Sequence, residues 1–141
     1  MSQQLRDALE SSEIVYITTF DRNGVPGTVP VWFVIQEANV FITTSPASKK
    51  ALKLQENPAA ELIGADSQGP SLTGQVTFRA PLESDVAVAG LFIEKYGEKA
   101  GRFWPDAETL LASWQDKASL LLEFSAQTQR IWLAQVPLYP I

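Results

Sequence analysis

A turn signal between two β-rich runs does most to limit what this chain can fold into. The residues Ile14–Phe20 are all β-branched or aromatic, a second β-rich run extends from Val25 to Ile35, and Asp21-Arg22-Asn23-Gly24 lies between them. An Asn-Gly pair favours the positive φ angles that a tight hairpin needs. Because a hairpin joins strands of opposite direction, we expect the chain to build an antiparallel sheet.

The rest of the chain continues this pattern, with helices placed only between strands. The further predicted strands are Val40–Thr44, Ala60–Ala65, Leu72–Ala80, Leu120–Phe124 and Arg130–Val136. The predicted helices are Ser2 to Ser11, Ser45 to Glu56, Asp85 to Lys99 and Asp106 to Gln115. The chain lacks a Gly-rich strand-to-helix turn, which argues against a parallel nucleotide-binding sheet. We therefore predict a mainly β protein with accessory helices, an antiparallel barrel in a single domain of residues 1–141.

The predicted strand from Val25 to Ile35 has two unlike faces. Alternation puts on its more apolar face Val29, Val31, Phe33 and Ile35, and on the other Thr28, Pro30, Trp32 and Val34. Pro26 and Pro30 have no N–H to donate, which points to an edge strand, a bulge or an opening of the barrel. On the less apolar face, Trp32 is expected to cover a ring or to pack at a dimer interface in preference to core burial.

Two absences restrict the chemistry of the chain. It contains neither cysteine nor histidine, so disulfides, thiolate or imidazole metal sites and Ser-His-Asp catalysis are excluded. The net charge of −5 argues against broad nucleic-acid binding. No apolar run approaches the ~18 residues of a membrane span and no signal pattern begins the sequence, so we expect a cytoplasmic protein without membrane contact. We favour a bound cofactor as the source of chemistry.

The segment from Thr43 to Lys50 is the best candidate for binding an anion. Ser45 is predicted to cap the helix that follows, with Pro46 at the first helical position. Lys49, Lys50 and Lys53 then lie where the helix dipole already places positive charge. The hydroxyls of Thr43, Thr44, Ser45 and Ser48 add further donors for a phosphate. A solvated lysine face with an ordinary serine cap is the alternative interpretation.

The same segment carries a family resemblance. Thr44-Ser45-Pro46-Ala47-Ser48-Lys49-Lys50, followed by Leu54 and Asn57-Pro58, resembles the T-x-x-x-S-[RK]-K…L…N-P stretch of pyridoxamine 5'-phosphate oxidase-like proteins. The order of strands, the Asn-Gly turn and Pro30-Val31-Trp32-Phe33 are similar as well, so the resemblance covers about Ile14 to Ala80.

The resemblance implies a split barrel that forms a homodimer with FMN in a cleft between the subunits. It assigns the FMN phosphate to Lys49 and Lys50, together with Thr44 and Ser48 of the same motif. It places the flavin ring along the strand of Val31 and Trp32. It also brings Gln75 near the flavin, because Gln75-Val76 resembles an R-Q-V element of the family.

Departures from the family pattern argue against one activity, the oxidation of pyridoxamine phosphate. The true oxidases have an Arg near the position of Thr28, a Lys near that of Phe33 and an Arg-x-His pair near the C-terminus, where this chain has Arg130-Ile131-Trp132. The chain is therefore more similar to the general-stress and deazaflavin-type relatives than to a pyridoxamine phosphate oxidase. We expect a flavin-dependent oxidoreductase that acts on a small molecule, with no side chain nominated as catalytic.

Four alternatives stay open. The chain could use the deazaflavin coenzyme, whose longer acidic tail its net charge of −5 disfavours. It could bind flavin without catalysis, as a sensor. It could handle haem, which the absence of His and Cys disfavours. It could also be an empty dimeric scaffold.

Two other side chains have weaker assignments. Arg79 lies on the polar face of its strand, where a surface ion pair is favoured over contact with a second ligand. Trp132 is expected to lie at a rim or a dimer contact in preference to touching a ligand.

Overall fold

The structure is a computed structural model that describes residues 3–64 and 71–129. Its strands are Val15–Phe20 (β1), Pro26–Val31 (β2), Phe33–Gln36 (β3), Asn39–Thr44 (β4), Ala59–Ile63 (β5), Ser71–Phe78 (β6) and Leu120–Gln129 (β7). Its helices are Gln3–Glu10 (α1), Lys49–Glu56 (α2), Val86–Tyr96 (α3), Glu98–Gly101 (α4) and Ala107–Gln115 (α5), with a 3₁₀ turn at Glu83–Asp85. The predicted strand Arg130–Val136 lies outside the described residues.

The strands form one antiparallel sheet that must curl on itself. Their order is β2-β1-β5-β6-β7-β4-β3, so β2 and β3 lie at opposite ends of the sheet. Only Trp32 separates the end of β2 at Val31 from the start of β3 at Phe33. A single residue can join the two ends only if curvature brings them together, as in a barrel. The prediction of a mainly β, antiparallel split barrel is confirmed.

The break at Trp32 corrects the prediction of one continuous strand from Val25 to Ile35. The N–H of Phe33 donates to the hydroxyl of Tyr96 at 2.8 Å. That hydroxyl lies in turn 2.8 Å from the carbonyl oxygen of Glu13 and 3.0 Å from that of Phe33. Because a buried tyrosine of α3 takes the place of a ladder partner, the chain leaves β2 and pairs with β4 as β3.

The connection between β1 and β2 differs in detail from the predicted Asn-Gly turn. Gly24 has a φ of 80°, but Asn23 does not have a positive φ. The Asp21 carboxylate instead accepts the N–H groups of Asn23 and Val25, at 2.8 and 2.9 Å. These bonds, that from Val25 above all, lower the pKa of Asp21. The hairpin itself is confirmed, and β2 is an edge strand, which explains why it tolerates two prolines.

Two clusters of buried side chains stabilise the fold. The first, which we name the barrel core, fills the inside of the barrel and includes Ile17, Phe33, Ile42, Leu62, Leu72, Leu122 and Phe124. The second, the helical core, joins the outer face of β3, β4 and β7 to α3 and α5 and includes Val34, Phe41, Phe92, Tyr96, Leu110, Trp114 and Leu121. Strands β3, β4 and β7 are therefore covered on both faces.

The helical region is divided where a single helix was predicted from Asp85 to Lys99. Helix α3 ends at Tyr96, and Gly97 adopts a φ of 52° before α4 begins. A positive φ ends a regular helix, and glycine adopts it without steric cost. Within the described ranges, no helix has the length and apolar character needed to cross a membrane.

Candidate functional site

The predicted anion-binding segment connects β4 to α2. Strand β4 ends at Thr44, and α2 begins at Lys49 with Ser48 as its N-cap. The Ser48 hydroxyl accepts the N–H of Ala51 at 3.3 Å. The prediction that Ser45 caps this helix is therefore wrong.

A turn over residues 45–48 delays the start of the helix. Both the N–H and the hydroxyl of Ser48 donate to the carbonyl oxygen of Ser45, at 3.1 and 2.8 Å. The Ser45 hydroxyl accepts the N–H of Ala47 at 3.2 Å. Pro46 therefore lies inside the turn and not at the first helical position. Because these groups bond within the turn, the helical hydrogen bonds begin only after it.

Lys49 and Lys50 are the first two residues of α2. Lys49 is exposed, whereas Lys50 is half-buried, and this burial lowers the pKa of Lys50. Neither lysine forms an ion pair with any residue in the described parts of the chain. Both ammonium groups lie at the end of the helix where the dipole is positive. An anion bound between them would relieve this repulsion, so the correction of the cap leaves the electrostatic argument intact.

The third lysine of the cluster faces a different element. Lys53 is half-buried in the second turn of α2. A Cβ atom added to Gly27 would lie 2.6 Å from the Lys53 Nζ, so this side chain crosses β2 where glycine leaves room for it. Lys53 thus packs against the edge strand.

The predicted hydroxyl groups do not all meet. The Thr44 Oγ1 lies 3.3 Å from the Ser48 Oγ, next to the first turn of α2. The Thr43 Oγ1 instead accepts the indole N–H of Trp114 at 3.0 Å, which ties it to the helical core. Thr44 and Ser48 are therefore the two hydroxyls grouped beside the lysine pair.

A cleft of about 360 Å³ opens next to this segment. It is lined by Trp32, Thr43, Thr44, Ser45, Phe103, Trp104, Ala118 and Ser119. None of these described lining residues is charged. Three aromatic rings, an alanine and four hydroxyl-bearing residues line it together, a composition that suits a flat ligand with polar edges.

Trp32 is held in this cleft by an aromatic stack. Its ring lies 4.2 Å from that of Tyr96, centroid to centroid, at an interplanar angle of 7°. Tyr96 is fixed in turn by its bond to the N–H of Phe33. Trp32 is half-buried: it packs against the helical core and also lines the cleft wall.

Sequence reasoning did not identify Phe103 and Trp104 as cleft residues. Trp104 lies two residues before Asp106, which caps α5 by accepting the Thr109 N–H at 2.8 Å. Phe103 is 66% exposed and lines the cleft beside Trp104, with the two ring centroids 5.5 Å apart. Its spacing in the sequence gives no signal of this position.

Two of the predicted flavin contacts are placed away from the cleft lining. Val31 is buried in the barrel core, so that only its backbone could run along a bound ring. Gln75 is exposed on β6, opposite Ala59 of β5 and Ser125 of β7. The structure thus groups Trp32 with residues 43–45 around the cleft and places the lysine pair in the next turn.

Arg79 has an internal role. Its guanidinium donates to Asp85 at 2.7 Å and to Glu123 at 3.0 Å, and Asp85 is almost fully buried. The prediction of an ion pair is confirmed, although the pair is more buried than a surface contact. Trp132 lies outside the described residues.

Comparisons with known proteins agree with this architecture. The family model described as pyridoxamine 5'-phosphate oxidase matches residues 1–132. No curated protein matches the chain. Among solved structures, a conserved hypothetical protein of Mycobacterium tuberculosis has a TM-score of 0.71 at 19% identity, covering 92% of this chain and 82% of that one.

Two further structures are similar. A Clostridium acetobutylicum protein, related to general stress protein 26 of B. subtilis, has a TM-score of 0.60 at 18% identity and covers 90% of this chain and 87% of its own. HutZ, the heme storage protein of Vibrio cholerae, has a TM-score of 0.64 at 14% identity and covers 89% and 87%. At such identities these likenesses concern the fold.

Proposed function

We propose that this chain, which belongs to the pyridoxamine 5'-phosphate oxidase family, binds FMN and serves as a flavin-dependent oxidoreductase for a small molecule. The observation that carries the proposal is the pair Lys49 and Lys50 at the start of α2, without a carboxylate partner in the described residues and next to the hydroxyls of Thr44 and Ser48. A phosphate monoester would pair with both ammonium groups and accept a hydrogen bond from the Thr44 hydroxyl, whereas the Ser48 hydroxyl already donates to the Ser45 carbonyl oxygen.

The cleft fits the remainder of such a ligand. In this proposal the phosphate lies at the first turn of α2, and the ring extends towards Trp32, with the backbone of Val31 along one edge. A volume of about 360 Å³ is near the lower limit of ligand sites, which range over roughly 300–1,000 Å³. A second subunit would then cover part of the flavin, as expected for a homodimer with the cofactor at its interface. Gln75 of this second subunit stays a candidate contact of the flavin.

In this proposal the residues of the cleft bind and orient the flavin, and none of them is assigned a role in proton transfer. Bound FMN would supply the redox chemistry. Trp32, Phe103 and Trp104 would exclude water from the ring, and Thr44 and Ser45 offer hydroxyls to its polar groups. Because the chain lacks histidine and has Thr28 and Phe33 in place of basic residues, we do not propose pyridoxamine phosphate as the substrate.

The test separates the phosphate from the ring by comparing FMN with riboflavin. Each would be titrated into the wild type and into the Lys49→Ala/Lys50→Ala double variant, with flavin fluorescence as the readout. Charged hydrogen bonds contribute about 1.5–3 kcal/mol each, so we expect the double variant to bind FMN at least about 100-fold more weakly. Its affinity for riboflavin should stay unchanged. The matched control is Lys49→Arg/Lys50→Arg, which should keep most of the FMN affinity.

Three outcomes would count against the proposal. Absence of FMN binding at micromolar concentration would contradict the whole proposal. Equal affinity of the wild type for FMN and riboflavin would contradict the phosphate site. Tight FMN binding by the double alanine variant would place the site elsewhere. Titration with the deazaflavin coenzyme and with haem tests the other ligands. Binding of FMN without turnover by any reduced nicotinamide would favour a non-catalytic sensor.

A further inference from the structure

Lys95, in the last turn of α3, lies in an unusual environment for a lysine. Its Nζ is 3.5 Å from the centroid of the Phe33 ring and 5.5 Å from that of Tyr96. Phe33 is fully buried in the barrel core, and Lys95 itself is half-buried. The amine is therefore held against an aromatic face in a half-buried position.

Lys95 lines two separate clefts. A cleft of about 390 Å³ is lined by Lys95 and Tyr96, by Ser11 and Ser12, and by the charged residues Glu10, Glu13 and Lys99. A second cleft of about 230 Å³ is lined by Lys95 with the apolar residues Val34, Ile35 and Leu91 and the carboxylates of Glu10 and Glu94. Neither cleft shares a lining residue with the cleft around Trp32, so this is a separate site.

The charged groups around Lys95 do not compensate its burial. In the described residues, no carboxylate lies within 4.0 Å of its Nζ. Glu10 pairs with Arg6, and Glu13 pairs with Lys99. Glu94, which lines the smaller cleft, is exposed.

Burial decides the protonation of Lys95. Glu10 and Glu13 favour the ammonium form, as does the face of the Phe33 ring. Removal of water from the charged amine outweighs the carboxylates and lowers the pKa of Lys95 to about 8. The neighbouring Tyr96 is no base for this amine, because burial raises the pKa of its phenol to about 12.

We infer that Lys95 is a nucleophilic amine that binds small aldehydes as reversible imines in the clefts beside α3. The amine nitrogen attacks the carbonyl carbon, and the resulting carbinolamine loses its oxygen as water to leave a C=N bond. One amine and one aldehyde thus give one imine and release one water, and the step needs no oxidant or reductant. An apolar ring beside the nitrogen and an approach for small molecules are what such lysines use.

The test is competitive labelling of the intact protein. Benzaldehyde at limiting concentration would be added at pH 7, the imine trapped with cyanoborohydride, and each lysine quantified by peptide mass spectrometry. A pKa near 8 raises the neutral fraction by a factor of about 10², while a less basic amine attacks more slowly, so we expect Lys95 to react about tenfold faster than Lys117. Its rate should reach half of its maximum near pH 8.

Two controls make the result decisive. Labelling in 8 M urea should abolish the preference, because it depends on the folded environment. Glu10→Gln removes a charge that favours the ammonium form and should raise the rate at pH 7, provided that circular dichroism shows a folded protein. Labelling of Lys95 no faster than Lys117, or a pH profile like that of an exposed lysine, would overturn the inference. The flavin titrations are independent of either result.

Discussion

At the scale of single residues, Tyr96 connects the barrel to the candidate site. Its hydroxyl satisfies the N–H of Phe33 where the chain passes from β2 to β3, and its ring supports Trp32 in the cleft. The side chain is 5% exposed, and burial raises its pKa to about 12. One substitution therefore tests both the hydrogen bond and the titration.

We expect Tyr96→Phe to lower the free energy of unfolding by about 1–3 kcal/mol at pH 7, because it leaves a buried N–H without an acceptor. An unfolded tyrosine ionises near pH 10 and the folded one near 12, so wild-type stability should fall as the pH rises through this window. The variant should lack this fall, and the two curves should converge. Urea unfolding of both proteins from pH 9 to 11.5, followed by tryptophan fluorescence, measures the two free energies of unfolding.

The comparison between the wild type and the Tyr96→Phe variant also removes the contribution of Lys95 to the pH dependence of stability. The pKa of Lys95 is lowered in the folded state, so its titration should increase stability with pH from about 8 towards 10.5. This effect occurs in both proteins and cancels in their difference. A constant difference between the curves up to pH 11.5 would show that Tyr96 does not titrate as proposed.

The chemistry of single residues was more predictable than their placement. Lys49 and Lys50 could be identified because adjacent cations at a helix start are unfavourable whatever surrounds them. Whether Ser45 or Ser48 caps α2 depends on hydrogen bonds within the turn, and both serines carry the same local signal. Phe103 reaches the cleft through the packing of the helical region, which no local pattern records.

At the scale of elements, two glycines of the helical region form a matched pair. Gly97 has φ 52° and ψ −122°, a conformation that L-residues avoid, whereas Gly90 lies within α3. A Cβ at either position would meet no atom within 4 Å, so differences in space do not confuse the comparison. Any opposite effect of alanine must then come from the backbone.

We expect Gly97→Ala to lower the free energy of unfolding by about 1–3 kcal/mol, because alanine is strained in this conformation. Gly90→Ala should raise it by about 0.5–1 kcal/mol, since alanine loses less entropy in a helix. Urea denaturation of both variants gives the two values. Equal effects of the same sign would contradict the role of Gly97 as the division between α3 and α4.

Element boundaries were predictable where local rules decide them. Helix α2 ends at Glu56, as Asn57-Pro58 predicts, since the residue before proline avoids the helical region. The division of the Val25–Ile35 run was not predictable, because its cause is the hydroxyl of Tyr96, distant in sequence. Strand β7 continues beyond Phe124 because it pairs along its length with β6.

At the scale of the whole molecule, antiparallel pairing followed from hairpin signals, but the strand order did not. Trp32 links β2 to β3, the two strands at opposite ends of the sheet, so the barrel closes at this residue. The same residue lines the cleft. The two buried clusters then cover β3, β4 and β7 on both faces. Strand β2 stays an edge, in which Val29 is 41% exposed, and Val25, just before the strand, is 55% exposed. Exposed apolar side chains on an edge strand favour pairing with another chain.

The proposed homodimer, with the cofactor at its interface, predicts that dimerisation and FMN binding are linked. Val29→Glu places a charge on the exposed edge of β2, and we expect it to shift sedimentation towards the monomer and to weaken FMN binding at least tenfold. The control, Leu82→Glu, changes an equally apolar residue that is 61% exposed beside the 3₁₀ turn and should alter neither. Analytical ultracentrifugation over a range of protein concentrations, with and without FMN, provides the measurement. A wild type that sediments as a monomer at every concentration and still binds FMN would remove the dimer and leave the phosphate site standing, because the lysine pair belongs to one subunit.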